Sequence, residues 1–398
     1  MKSLRLFTST RAVRELPNPP YYVSECQTGG QQHRLLHQRA HTRHEMRLRK
    51  PASSTTLCTY TSQASAAVAD PTITTVQARI GAVNRAQYTT QTTVSKEPVV
   101  HSLFEDKTGT WQYVVADPST NRAVVIDPVL DYDANTQTIS TQTADGLLAT
   151  ISENGYHIEK ILETHAHADH LTAASYLQQR LSSQQGFRTP ICIGKRIREV
   201  QTRFAARYRI AAVEYKNAFD HLFEDDEVFE IGQLEVKVMH LPGHTPDHIG
   251  YRIGGNVFCG DSIFHADIGT ARCDFPGGSA KSLYASARKL LELPDDVKVW
   301  TGHDYPACPE RCEAVPWMTV RDHKEKNKHL NDDVGEDDFL TLRKERDASL
   351  AAPKLLHPSL QINIRAGRLP QPTSGDQRLM HLPIRISGTT WQTEESIS

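Results

Sequence analysis

At 398 residues, with 38% hydrophobic and 23% charged side chains, the chain has room for one large or two ordinary domains around a buried core. A net charge of −2 removes any electrostatic reason to expect nucleic acid or an anionic membrane as a partner. No apolar run approaches the roughly 20 residues that span a bilayer, and seven scattered cysteines exclude a disulfide-stapled secreted domain and point to a reducing compartment.

Residues 1–95 carry twelve Lys or Arg against four acids, Glu15, Glu25, Glu45 and Asp70. Rich in Ser, Thr, Gln and Ala and lacking periodic apolar spacing, such a segment cannot bury enough surface to fold alone. An Arg-rich, acid-poor start is what a mitochondrial transit region requires; a floppy cytosolic extension is the alternative. The expected organisation is a disordered leader over 1–95, one folded domain over 96–372 and a polar tail over 373–398, in the mitochondrial matrix or else the cytoplasm.

The folded part opens with Thr110-Trp-Gln-Tyr-Val-Val-Ala116 and Arg122-Ala-Val-Val-Ile-Asp127 around the turn former Asp117-Pro-Ser-Thr-Asn121, a predicted hairpin. A helix is expected over 134–154, then a strand over 158–163 ending in Thr164-His-Ala-His-Ala-Asp-His170. Helical spacing over 171–183 puts that cluster in a strand-to-helix loop. Three imidazoles and a carboxylate, His165, His167, Asp169 and His170, repel when protonated and cost desolvation when buried. Coordination to a divalent cation reverses that cost.

The second half repeats the arrangement. Leu234–Leu241 alternates as a strand and the loop Pro242-Gly-His-Thr-Pro-Asp-His248 presents His244; Asn256–Gly260 delivers Asp261. A helix over 279–293 precedes strand Val297–Trp300, whose end carries Thr301-Gly-His-Asp-Tyr305 and so His303. Groups at the ends of separate strands can converge. Charged helical segments follow over 321–330 and 336–349, then apolar Ser359–Arg365. Cys308 and Cys312 have neither zinc nor thioredoxin spacing and read as ordinary thiols. Cys273 adjoins Arg272, a cation of the kind that lowers a thiol pKa. His240 and His248 read as hydrogen-bonding residues rather than ligands.

His165-x-His167-x-Asp169-His170 with the later His244, Asp261 and His303 resembles the metallo-β-lactamase superfamily over roughly residues 99–330. The resemblance implies an α/β fold, a four-layer αββα sandwich with metals at one edge. Gly260-Asp261, the run Gly269-Thr-Ala-Arg-Cys-Asp-Phe-Pro-Gly-Gly278, Gly302-His-Asp-Tyr305 and Glu325–Asn327 are similar to the persulfide dioxygenases. The ending Leu360-Gln-Ile-Asn-Ile-Arg-Ala-Gly-Arg-Leu-Pro370 is similar to their bacterial, β-lactamase-hydrolase-like branch.

That resemblance implies one Fe(II) per chain held by His165, His244 and Asp261, the two-histidine, one-carboxylate triad of non-haem iron oxygenases. It implies glutathione persulfide and O2 as substrates and a place in sulfide catabolism. Asp169, His170, His303 and Tyr305 would be the catalytic side chains, and Arg272, Cys273 and Tyr305 the substrate-binding ones. His167, Asp169, His170 and His303 would orient ligands or complete a second metal site. The alternative is a two-Zn thioester hydrolase of the glyoxalase II kind, a hydroxyacylglutathione hydrolase; a non-catalytic sulfide-sensing or interaction protein stands third. A homodimer stays open as the assembly.

Overall fold

The computed structural model describes residues 97–384, so the expected leader and the end of the tail lie outside the described residues. In chain order the domain begins with β1 (Val99–Glu105), β2 (Thr110–Ala116), β3 (Arg122–Ile126), β4 (Val129–Asp133), β5 (Thr138–Ser140), α1 (Gln142–Glu153), β6 (His157–Leu162) and β7 (Leu171–Thr172). It continues with α2 (Ala174–Gln185), β8 (Ile191–Gly194), α3 (Ile197–Tyr208), α4 (Ala212–Tyr215), β9 (His221–Phe223), β10 (Val228–Ile231), β11 (Leu234–His240) and β12 (Ile249–Ile253). Last come β13 (Asn256–Phe258), α5 (Ala280–Leu291), β14 (Lys298–Trp300), β15 (Trp317–Thr319), α6 (Val320–Lys326), α7 (Glu336–Ser349) and α8 (Leu356–Asn363).

Two six-stranded sheets, ordered β1-β2-β3-β6-β8-β9 and β10-β11-β12-β13-β14-β15, pack face to face. Period-two alternation explains why. Along β2, Trp111, Tyr113 and Val115 join the core between the sheets, while Val114 and Ala116 face the layer of α1 and α2. Val124 and Ile126 of β3 split from Ala123 and Val125 in the same way. On the second sheet, Phe258 and Trp300 point inward and Val257 and Val299 outward against α5 and α7. Burial on both faces makes these strands continuously apolar, and helices cover both outer faces, giving the metallo-β-lactamase αββα arrangement. The amphipathic α5 starts where the Ser279 hydroxyl accepts the Ser282 N–H at 3.2 Å, and it buries Leu283, Ala287, Leu290 and Leu291.

Three expectations are corrected. The helix predicted to start at Ala134 starts at Gln142. The preceding residues form the β4–β5 hairpin, because Asp133 accepts the Asn135 and Thr136 N–H groups and closes a turn. Leu171 and Thr172 pair with β4, so α2 begins at Ala174. Cys308 and Cys312 are joined in a disulfide rather than standing as two thiols. The stretch Ser359–Arg365 spans the end of α8 and the two residues after it, all buried.

Candidate metal centre

The dense cluster follows β6, whose parallel pairing with β3 and β8 ends at Leu162. Past that point the chain has no ladder, so side chains hold it. The Asp127 carboxylate at the end of β3 accepts the Thr164 N–H at 2.7 Å and its hydroxyl at 2.8 Å. Asp247 accepts the Ala166 N–H at 2.9 Å. Asn363 of α8 donates to the His167 and His170 carbonyls, both at 2.8 Å, and accepts the Thr172 N–H at 2.9 Å. Four backbone groups of the loop, the Thr164 and Ala166 N–H and the His167 and His170 carbonyls, are thereby satisfied by buried side chains from elsewhere in the fold.

The second sheet brings one group per strand end. His244 follows β11, Asp261 follows β13 and His303 follows β14. Gly302 lets the chain cross Asp261, since a Cβ there would lie 2.4 Å from the Asp261 Oδ1. The Asp261 N–H donates to His248 Nε2 at 2.9 Å, so His248 serves as a hydrogen-bonding residue, as its position suggested.

Hydrogen bonding fixes which imidazole nitrogen is free. Because the Thr164 hydroxyl is spent on Asp127, its oxygen accepts from His165 Nδ1 at 2.9 Å. The Nδ1–H of His170, His244 and His303 donates to the carbonyls of Leu171, Arg272 and Gly109 at 3.2, 2.8 and 3.2 Å. All four rings therefore present an Nε2 lone pair, the orientation that metal-bound histidines take. His165 Nε2 and His170 Nε2 are buried with no hydrogen-bond partner.

The donor atoms of His165, His244 and Asp261 lie within 4.8 Å of one another, as do those of His167, Asp169 and His170. The Asp261 carboxylate stands 4.0 Å from His165 Nε2, 3.6 Å from His244 Nε2 and 3.4 Å from His303 Nε2. His303 Nε2 also faces Asp169 at 3.1 Å. Two carboxylates aimed at one lone pair require a proton or a cation between them. Burial opposes charge on His303, yet Asp261 and Asp169 raise its pKa above the ordinary value. Burial and the neighbouring His167 push His170 down to about 3. Against burial, His303 and then His170 pull Asp169 down to about 2, whereas burial raises Asp261. A bound cation would reverse the penalty on Asp261, so the donor set fits a metal.

His167 is turned the other way round. Its Nε2 lies 3.1 Å from Asp127 Oδ1 and 3.2 Å from Glu163 Oε2, and its Nδ1 is buried without a partner. Glu163 is further held by the Thr172 hydroxyl. Asp127, Glu163 and Asn363 are absent from the site residues expected on sequence. An Asp ending an apolar strand and the Asn in the C-terminal motif were visible, but only the fold shows that they meet the loop.

A cavity of about 1210 Å³ opens over Asp169, His244 and Asp261, flanked by Phe264, Arg272 and Tyr305. The Tyr305 ring stacks on His303, with centroids 5.8 Å apart. Tyr305 is half exposed, and partial loss of solvent and then the Asp169 charge raise its pKa above the usual value. The Arg272 guanidinium is already paired with Asp274, at 2.5 Å through both Nε and Nη2. Cys273 is buried in the apolar cluster behind the wall, and burial pushes its thiol up to about 12.

The metallo-beta-lactamase superfamily profile matches residues 106–303. The Glyoxylase B2 of Dictyostelium discoideum is 42% identical over 294 residues, 73% of this chain and 98% of that one. The Beta-lactamase hydrolase-like protein of Xylella fastidiosa is 40% identical over 296 residues, 74% of this chain and 67% of that one. More distantly, Persulfide dioxygenase ETHE1 of Bos taurus is 26% identical over 279 residues, 68% of this chain and 93% of that one. The crystal structure of ETHE1 from Myxococcus xanthus superposes with a TM-score of 0.54 at 26% identity, covering 68% of this chain and 100% of that one. The chain belongs to the metallo-beta-lactamase superfamily, and its candidate ligands follow the ends of strands β6, β11, β13 and β14.

Proposed function

We propose that the protein is a persulfide dioxygenase that converts glutathione persulfide, O2 and water to glutathione and sulfite. The observation that carries the reading is the convergence of His165, His244 and Asp261, two imidazoles and one carboxylate, with His244 and Asp261 lining the cavity. This donor set suits ferrous iron with open positions, and the likeness to ETHE1 in sequence and structure supports the same choice. When bound, the iron supplies the redox chemistry between a coordinated sulfur and dioxygen. The chain's own groups do the rest. Asn363, Asp127 and Asp247 fix the loop, His303 and Asp169 share a proton or a charge beside Asp261, and Tyr305 offers a protonated phenol at the cavity wall. Phe264 and Tyr305 meet edge to face in the cavity lining, with ring centroids 6.4 Å apart.

The acid-poor first 95 residues and the word mitochondrial in the ETHE1 relative's name support a mitochondrial location. No helix among the described residues is long and apolar enough to cross a membrane.

A second reading, a binuclear zinc thioester hydrolase of the glyoxalase II kind, is favoured by one observation. His167 Nδ1, Asp169 Oδ2 and His170 Nε2 are all buried without hydrogen-bond partners and lie close enough to share a second cation. Anaerobic reconstitution followed by metal analysis and oxygen uptake separates the two. One iron per chain with O2 consumption and sulfite formation supports the dioxygenase. Two zincs with cleavage of S-lactoylglutathione and no oxygen uptake overturns it.

A further inference from the structure

Away from the metal triad, the cavity is closed by α7 and the segment 350–355. Two guanidiniums on this wall are already committed. Arg272 gives Nε and Nη2 to Asp274 and Nη1 to the Ala351 carbonyl at 2.8 Å. Arg343, 2% exposed, donates to the Thr270 carbonyl at 3.2 Å and to Asp347, whose other oxygen accepts the Cys273 N–H at 3.0 Å. Neither fork is open to a new carboxylate without breaking a pair. Arg346, one turn beyond Arg343 on the same helix face, and Lys354 also line the cavity. Both are exposed, and neither has a hydrogen-bond or ion-pair partner for its cationic group among the described residues.

Unpaired cations on the concave wall of a cleft concentrate anions there. Asp131 and Asp133 also line the cavity, their oxygens held by the Thr143 N–H and by the Asn135 N–H. The cavity thus carries both signs of charge, with Lys107 acting on Asp133 and with His244 and Asp261 of the triad in its lining. Resting on the dioxygenase reading of that triad, we propose that Arg346 and Lys354 recognise the carboxylate end of the thiol that carries the sulfane sulfur. They select carriers that are anionic far from their sulfur. Arg346 offers a two-pronged grip and Lys354 a point charge, while the lining carboxylate of Asp131 suits the ammonium of a peptide-like carrier. Arg272, the residue expected on sequence to hold a glutathione carboxylate, then shapes the wall through Asp274.

Calorimetric titration of glutathione into the metal-loaded full chain tests this without turnover, because the thiol product keeps both carboxylates. The double variant R346A/K354A is expected to bind glutathione about tenfold more weakly, and R346K/K354R to retain most of the affinity. Raising the salt should weaken the wild type and barely touch the double alanine variant. In kinetics, KM for glutathione persulfide rises by the same factor with kcat unchanged, while the uncharged persulfide of mercaptoethanol is used equally by both. Unchanged glutathione affinity in R346A/K354A overturns the proposal, as does an equal loss with the uncharged carrier. A wild type whose glutathione binding depends on these two residues, but which consumes no oxygen with the persulfide, sinks the dioxygenase reading and leaves carboxylate recognition standing.

Discussion

The two sheets supply the metal centre in different ways. The first gives its share in one loop, four candidate ligands in six residues after β6, where no ladder continues. That loop is positioned by side chains from elsewhere: Asp127 from β3, Asp247 from the His244 loop and Asn363 from α8. The second sheet gives single groups at three strand ends, and the ladder itself spaces them. β13 and β14 run parallel with Phe258 opposite Trp300, which sets Asp261 and His303 side by side. A concentrated ligand set needs bracing, while a dispersed one needs register.

The largest effect expected is at the register-set ligands themselves. Asp261→Ala and His244→Ala should each remove bound metal and activity together, measured as metal per chain beside turnover. Full metal content in either variant would mean that the centre is built on the loop alone. Asn363→Leu tests the bracing. It leaves the His167 and His170 carbonyls and the Thr172 N–H unpaired, at about 1–3 kcal/mol of stability. Metal affinity, read by competition with a chelator, should fall about 10- to 100-fold. A lower melting temperature with undiminished affinity would show that the loop holds its geometry without α8.

How much of this was legible follows the same division. The ligands at strand ends could be read because apolar strands of the second half each stop at a His or Asp, and the cluster after β6 announces itself by charge density. The braces could not be read. Asn363 lies almost two hundred residues from the carbonyls it holds, and nothing in its neighbourhood says which loop it meets. The strands at Ile191–Gly194 and Ile249–Ile253 could not be read, since short apolar runs do not reveal their period, whereas the helix over Ile197–Tyr208 does carry helical spacing in Ile197, Val200, Phe204 and Tyr208. Arg272 was visible as a cation in the right loop, but its partner Asp274, two residues on, decides what its guanidinium is free to do.

The register-set half also carries an acid liability. His323 on α6 is buried against the second sheet with Nδ1 near the Asn327 side chain, 3.2 Å away, and burial lowers its pKa to about 4. The unfolded chain binds this proton from about pH 6.5 downward, the folded chain only near pH 4, so stability falls across that window as pH drops. The loss attributable to this group is about 3 kcal/mol. Urea midpoints of wild type and His323→Gln should converge toward pH 4 and differ in slope above it; parallel curves would place the acid sensitivity elsewhere.

The smallest effect expected lies where the two modes meet. Gly109, in the turn between β1 and β2 of the first sheet, accepts the His303 Nδ1–H at 3.2 Å and the Asp304 N–H at 2.9 Å through its carbonyl. Here a strand end of the second sheet takes braces from the first, the Trp111 N–H to the Gly302 carbonyl at 2.8 Å among them. The φ of Gly109 is +69°, and a Cβ would lie 2.6 Å from the Tyr305 ring and 2.8 Å from the Asp304 carbonyl. Gly109→Ala therefore strains the backbone by about 1–2 kcal/mol and pushes Tyr305 off His303. Since His165, His244 and Asp261 are untouched, metal content should hold while kcat falls, a split readable from metal analysis and turnover on one preparation. Unchanged kcat with the expected drop in stability would mean that Tyr305 needs no fixed place over the centre, whereas loss of metal would mean that His303, and so the second sheet, depends on bracing as much as the loop does.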